Sequence, residues 1–235
     1  MSVVPYTGAR PERRRTLDRA QVVEAALALL DEVGLDGLTM RSLAERLGVR
    51  ATALYRHVRD KDELLVLLGD ALAGAIEPVG LDPPWQARLR ELAWRVRRGL
   101  LAHRDAARLL AATMPSGPRR LAHVEALLAL LTAAGFTPEE AARAAYHFNN
   151  LVTEFVADEV RLQLAAEAAG GDPQALLAEA SSRLAALPAG QFPHLTRHAV
   201  GVVDADRDAS FRFGVDVWIK GMEQLLAAHA DRSPD

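Results

Sequence analysis

Between Leu38 and Val58 the chain lays two short apolar-periodic stretches on either side of Gly48. Thr39 can cap a helix running to Leu47, with Met40, Leu43, Ala44 and Leu47 on one face. Gly48-Val49-Arg50 then makes a tight turn into a second short helix expected over residues 51–58. Two short helices joined by a few residues that include Gly are what a helix-turn-helix requires. Ala44 is small where the two helices would cross. Val49, Leu54 and Val58 can bury inward, which leaves the rest of the second helix free to enter a major groove.

The side chains on that free face have chemistry to match. Ala51 and Thr52 are short and let the backbone approach base edges. Arg50 and Arg56 can reach guanine acceptors in bidentate fashion or fall back on phosphate. Tyr55, His57 and Lys61 can donate to phosphate oxygens, which fixes register without reading sequence. Arg41, early in the first helix of the pair, lies near the groove as well. Taken singly, Tyr55 also fits a core aromatic with a wet hydroxyl, and His57 a plain surface histidine.

Helical periodicity continues on both sides. Residues 1–15 form a polar segment ending in Arg13-Arg14-Arg15, expected to be a flexible basic arm. Thr16 is a candidate N-cap for a helix carrying Ala20, Val23, Leu27 and Leu30, stopped before Gly34. Asp60 precedes Glu63 by three residues, a variant capping box, and opens an apolar helix running to about residue 76. Pro78, Gly80 and Pro83-Pro84 follow. This places a DNA-binding head at 16–62 and a body at 63–235, with the helix after Lys61 too apolar to stand in solvent. In the body, helices are expected over about 84–103, 105–112, 119–134, 138–169, 174–187 and 207–230. Thr137 caps the longest, Pro138 fills its first turn, and Glu139 and Glu140 meet its dipole. Residues 188–206 are expected to be irregular. Ala and Leu dominate and β-branched runs are scarce, so the expected fold class is all-α.

Charge is uneven. Residues 1–61 hold 11 Lys+Arg against 8 Asp+Glu, a net of +3, and the remainder 17 against 23, a net of −6. A basic head on an acidic body suits a protein whose head alone meets a polyanion. The chain has no cysteine, which excludes disulfides, a thiol nucleophile and Cys-ligated zinc. The N-terminus lacks a signal-peptide pattern, and no uncharged stretch approaches the roughly 20 residues of a membrane span. A cytoplasmic location is expected. Phosphate-binding glycine loops, a Gly-x-Ser-x-Gly elbow and a His-Glu-x-x-His pair are missing from the sequence, so no enzymatic activity and no cofactor or metal are expected.

The segment from Gln21-Val22-Val23 through Gly34, Thr39-Met40-Arg41 and Leu54-Tyr55-Arg56-His57-Val58 to Lys61-Asp62-Glu63-Leu64-Leu65 resembles the N-terminal domain of the TetR family. The resemblance implies a ligand-responsive repressor that binds a palindromic operator as a homodimer. It puts Arg41, Ala51, Thr52 and Arg56 close to bases and makes Thr39, Tyr55, His57 and Lys61 phosphate contacts. Two recognition helices must then sit roughly 34–36 Å apart. An activator, or an adaptor that keeps the fold without binding DNA, remains open.

Further along, His103-Arg104-Asp105, Gly135-Phe136, Phe211-Arg212-Phe213-Gly214 and Gly221-Met222-Glu223 resemble the tetracycline-repressor type of C-terminal domain. That type implies a four-helix dimer interface from the long helix and the last one, where Gly214 and Gly221 would allow close approach. Tetracycline-binding members place a metal-ligating His seven residues beyond the His of the His-Arg-Asp run; here that residue is Leu110. Their other polar drug contacts fall on Glu77, Leu92 and Leu127, so no magnesium site is carried over. The pocket expected instead is apolar: Leu92, Val96, Leu110, Met114, Leu127, Leu131, Phe148, Val152 and Phe155, each of which also fits ordinary core. His147, Asn149, Asn150 and Glu154 could add polar specificity, Asn being a poor mid-helix residue.

Overall fold

The computed structural model describes residues 17–82, 84–203 and 206–230, and among them there are helices and turns but no strand. The expected arm at 1–15 and the expected cap at Thr16 lie outside the described residues. The first helix, α1 (Arg19–Gly37), starts at Asp18. Its carboxylate accepts from Gln21 N–H at 2.8 Å, while the Gln21 side chain accepts from Asp18 N–H at 3.1 Å. This reciprocal cap satisfies two orphan donors at once. At Gly34 the backbone leaves the helix, with φ 71° and ψ 178°, a conformation that only glycine adopts cheaply.

α2 (Met40–Arg46), α3 (Ala51–Leu54) and α4 (Lys61–Gly74) complete the head. Val22, Ala26 and Leu30 of α1 meet Leu43 and Ala44 of α2, Leu54, Val58, and Leu64 and Leu68 of α4 in one buried cluster. Each fully buried leucine there contributes about 1.5–3 kcal/mol against exposure, enough in sum to hold short helices that would melt alone. α3 is half the expected length. After Leu54 the chain tightens into a turn, with His57 N–H and Val58 N–H both donating to Leu54 C=O at 2.8 and 3.0 Å. That turn swings Val58 into the core.

The body comprises α5 (Trp85–Leu101), α6 (Ala106–Ala111), α7 (Pro118–Ala133), α8 (Pro138–Ala168), α9 (Pro173–Ala185), α10 (Pro193–Arg197), α11 (Ala199–Val203) and α12 (Arg207–Ala230). α8 buries Ala141, Ala144, Ala145, Phe148, Val152 and Val156, a stripe at helical spacing. It packs on Leu89 and Ala93 of α5, Leu127 and Leu131 of α7, and Phe211, Val215 and Ile219 of α12. The stretch expected to be irregular, 188–206, contains α10 and α11. Each is five residues long, too short for a periodic pattern to show.

Head and body share a core. The head cluster continues into Leu100, Ala106, Leu109, Leu110 and Val156. The expected boundary at 62/63 falls among residues that pack together, because α4 places Leu64 and Leu68 in the head and its later turns against α7.

Candidate nucleic-acid interface

Thr39 opens α2 with a reciprocal cap: Ser42 N–H donates to its hydroxyl at 3.0 Å, and Thr39 N–H donates to the Ser42 hydroxyl at 2.9 Å. Ser42 also donates to Gly37 C=O at 2.9 Å, which pins the start of α2 to the end of α1. Arg41 projects from the first turn of α2 with a side chain 90% exposed, paired at 2.9 Å with Glu45 one turn on. That hydrogen bond raises the guanidinium above its ordinary value. An exposed pair of this kind contributes little to stability.

In α3 and the turn after it, Leu54 and Val58 are buried, while Thr52, Tyr55 and Arg56 are exposed, Tyr55 by 53%. Tyr55 is therefore not a core aromatic. Arg50 is exposed at the N-cap of α3, and among the described residues neither Arg50 nor Arg56 forms an ion pair. Ala51 and His57 are half-buried. Lys61 is half-buried too, its ammonium 3.4 Å from Leu35 C=O. Asp60 caps α4 through Glu63 N–H at 2.8 Å, but Glu63 reaches back to Arg59 N–H at 2.7 Å rather than to Asp60. The expected capping box is thus shifted by one residue on its return arm. The Arg59 N–H bond, ahead of the Arg59 and Arg19 side chains, holds the Glu63 carboxyl below the usual carboxylate range.

A second polar assembly joins the head to the body, and sequence reasoning did not identify it. Asp31 accepts from Arg104 N–H at 2.9 Å and contacts His103 Nδ1 at 3.0 Å. Leu35 N–H donates to Asp105 at 2.8 Å, and Arg108 holds Asp36 through two bonds of 2.8 Å. Asp105 has φ 58°, the one non-glycine residue at positive φ among the described residues. Its carboxylate lies so close to Gly34 that a Cβ there would sit 2.8 Å from it. The only hint in the sequence was the His103-Arg104-Asp105 run.

The expected effector pocket is not one wall. Leu127, Leu131, Phe148 and Val152 are buried in the body core, and Leu110 in the shared head cluster. Leu92, Val96 and Phe155 are half-buried beside them. Met114 is 82% exposed, because it lies in the link between α6 and α7. His147 and Asn149 are exposed, because each lies about 100° around α8 from buried Phe148. In the single chain these three line no interior. A groove of about 550 Å³ opens elsewhere, between Asp31, Leu101 and His103 on one side and Glu159, Gln163 and Arg207 on the other. Next to it Arg97 is buried in an aromatic box, 4.9 Å from the rings of Trp94 and Phe211. It donates twice to Glu159, at 2.6 and 2.8 Å, and once to Asp208 at 2.7 Å.

Gly214 is half-buried and Gly221 exposed, and a Cβ at either would meet nothing within 4 Å. Packing within the chain therefore does not require these glycines. Val217 and Leu225 lie on the same side of α12, 52% and 49% exposed.

Comparison with known proteins settles what this head and body are. The family model for bacterial regulatory proteins of the tetR family matches residues 22–68, and that for the tetracyclin repressor-like C-terminal domain matches residues 78–226. The chain belongs to the TetR family. The class G tetracycline repressor protein of Vibrio anguillarum is 36% identical over 216 residues, covering 90% of this chain and 96% of that protein. The TetR-family protein ActR of Streptomyces coelicolor, solved in complex with actinorhodin, superposes with a TM-score of 0.80 at 32% identity. The match covers 88% of this chain and 96% of ActR. BioQ, solved with its double-stranded DNA operator, matches with a TM-score of 0.57 at 33% identity, over 62% of this chain and 88% of its own. As a TetR-family member the chain is a DNA-binding transcriptional regulator with an all-helical fold. No helix among its described residues is long and apolar enough to cross a membrane.

Proposed function

We propose that this TetR-family chain represses transcription in the cytoplasm as a homodimer. It places two copies of α3 in successive major grooves of an inverted-repeat operator and is released by a small-molecule effector that it binds without chemical change. The observation that carries this reading is the geometry of α3 and the turn that follows it. Leu54 and Val58 anchor it from behind while Thr52, Tyr55 and Arg56 face solvent. Arg41, Ala51, Thr52 and Arg56 lie nearest the bases, with Arg50 at the rim. Thr39, Tyr55, His57 and Lys61 hold the phosphates. The exposed stripe of α12 around Gly214, Val217, Gly221 and Leu225 supports pairing of two copies.

Effector binding lowers operator affinity by linkage: a ligand that favours the DNA-free arrangement must bind it more tightly, typically by ~1–3 kcal/mol. Leu92, Val96 and Phe155 are the half-buried part of the expected apolar lining, so an apolar ligand reaches them before the buried Leu127, Leu131, Phe148 and Val152. That ActR is solved with actinorhodin and BioQ with its operator supports both halves of the scheme. Selection of bound sequences from random duplex DNA tests it. An inverted repeat is expected, and Arg41→Ala combined with Tyr55→Ala should weaken binding and flatten its salt dependence. Recovery of no enriched sequence, or an unchanged affinity in the double variant, would favour an adaptor that does not bind DNA.

A further inference from the structure

α4 runs from the head core to the body. Its first turns put Leu64 and Leu68 into the head core. Its later turns press small residues against the start of α7. A Cβ on Gly69 would lie 3.2 Å from the Arg120 guanidinium, and one on Gly74 would collide with Arg119. Between them stands Asp70, 9% exposed in an otherwise apolar stretch. α7 has no cap of its own: its N-cap is Gly117, and Pro118 occupies the first turn. Asp70 supplies the missing cap from the neighbouring helix, with one carboxylate oxygen accepting from Arg119 N–H at 2.7 Å and Arg120 N–H at 2.9 Å. Three further bonds close the junction. His123 of α7 contacts Ala73 C=O at 2.8 Å, and Arg120 donates to Leu110 C=O and the Thr113 hydroxyl of the α6 region at 3.0 and 2.7 Å.

A capping bond between two helices does something a cap within one helix cannot. It fixes the rotation and the axial position of α4 on α7, because a carboxylate satisfies two successive N–H groups in only one register. Gly117 is part of the device, since a Cβ there would run into the Asp70 carboxylate. We propose that Asp70 is a positioning residue for operator recognition: by capping α7 from α4 it fixes the angle of each head on the body, and so selects the half-site spacing that the dimer accepts. The inference rests on the operator-binding function proposed above and goes beyond it by naming the residue that sets the spacing.

The test uses the full-length chain and the inverted repeat selected with the parent protein. Inserting or deleting one central base pair moves a half-site by about 3.4 Å and rotates it by roughly 34°. The parent should bind the shifted repeats at least about tenfold more weakly than the selected one. In Asp70→Ala and in Gly117→Ala that ratio should fall towards one. In Asp70→Asn, which keeps the shape and an acceptor oxygen, it should stay close to the parent's. Loss of stability alone would weaken binding to all spacings alike and leave the ratio unchanged. Should Asp70→Ala not fold, Gly117→Ala carries the same expectation from the other side of the contact. Parental discrimination in folded Asp70→Ala or Gly117→Ala overturns the inference. Failure of the parent to enrich any repeat would overturn the operator reading instead.

Discussion

Arg97→Met should destabilise the body by about 2–3 kcal/mol, and the structure shows why the loss is neither smaller nor larger. The Arg97 side chain is 6% exposed and its main partner, Glu159, 12%. Methionine fills most of the volume but leaves the Glu159 carboxylate without either of its Arg97 bonds. Breaking a buried pair from one side typically costs about 3–5 kcal/mol. Two features reduce that figure. Asp208, the other partner, is 68% exposed and returns to water at little cost, and Arg207 lies 4.0 Å from Glu159, near enough to take over part of the pairing. Lost cation–π contact with Trp94 and Phe211 adds back a smaller amount, of order 1 kcal/mol or less. The measurement is the urea midpoint at constant slope and fixed protein concentration. Asp208→Ala is the control, expected within about 1 kcal/mol of the parent because an exposed pair contributes little. Arg97→Met with Glu159→Leu should recover most of the loss, since the orphaned charge is removed. The reasoning is refuted if Arg97→Met matches the parent, or if Asp208→Ala costs as much as Arg97→Met.

Three other outcomes follow from local geometry. Gly34→Ala forces a side chain into φ 71° beside the Asp105 carboxylate; strain of about 1–3 kcal/mol is expected, read as a lower thermal midpoint. Asp105→Gly keeps the positive φ without strain but removes the bond to Leu35 N–H, so faster amide exchange at Leu35 should appear with little change in helix content. Glu140 is held below the usual glutamate value first by Thr137 N–H, then by the Thr137 hydroxyl and His229. A depressed carboxyl stabilises the fold above its unfolded-state value and loses that contribution as pH falls through the folded one. Glu140→Gln should therefore lower stability at neutral pH and flatten the acid limb of a melting-temperature profile; an unchanged acid limb would remove the bond from the account.

How far a sequence can be read depends on whether a feature is local. The helix-turn-helix was legible because its parts lie within about twenty residues and each uses a short-range rule: Thr39 capping α2, Gly48 at the turn, Leu54 and Val58 on the inner face. The thirty-one residues of α8 were legible for the same reason, from Thr137 and Pro138 at one end to Gly170 at the other. The cap at Asp18 was not read from the sequence, because what makes it a cap is its reciprocal bonding with Gln21 three residues on. Met114, His147 and Asn149 were assigned to a pocket from chemistry alone, with nothing local to show which way each faced.

The amino-acid order by itself determined the longer helices and the turn between α2 and α3, because capping, glycine dihedrals and apolar periodicity all act within a few residues. Only the tertiary structure decided that Asp70 caps α7, that Asp105 seats the head on the body, and that Arg97 is buried against Glu159. Those pairs stand 49 or more residues apart, and whether such groups meet depends on the packing of whole helices, which no local pattern encodes.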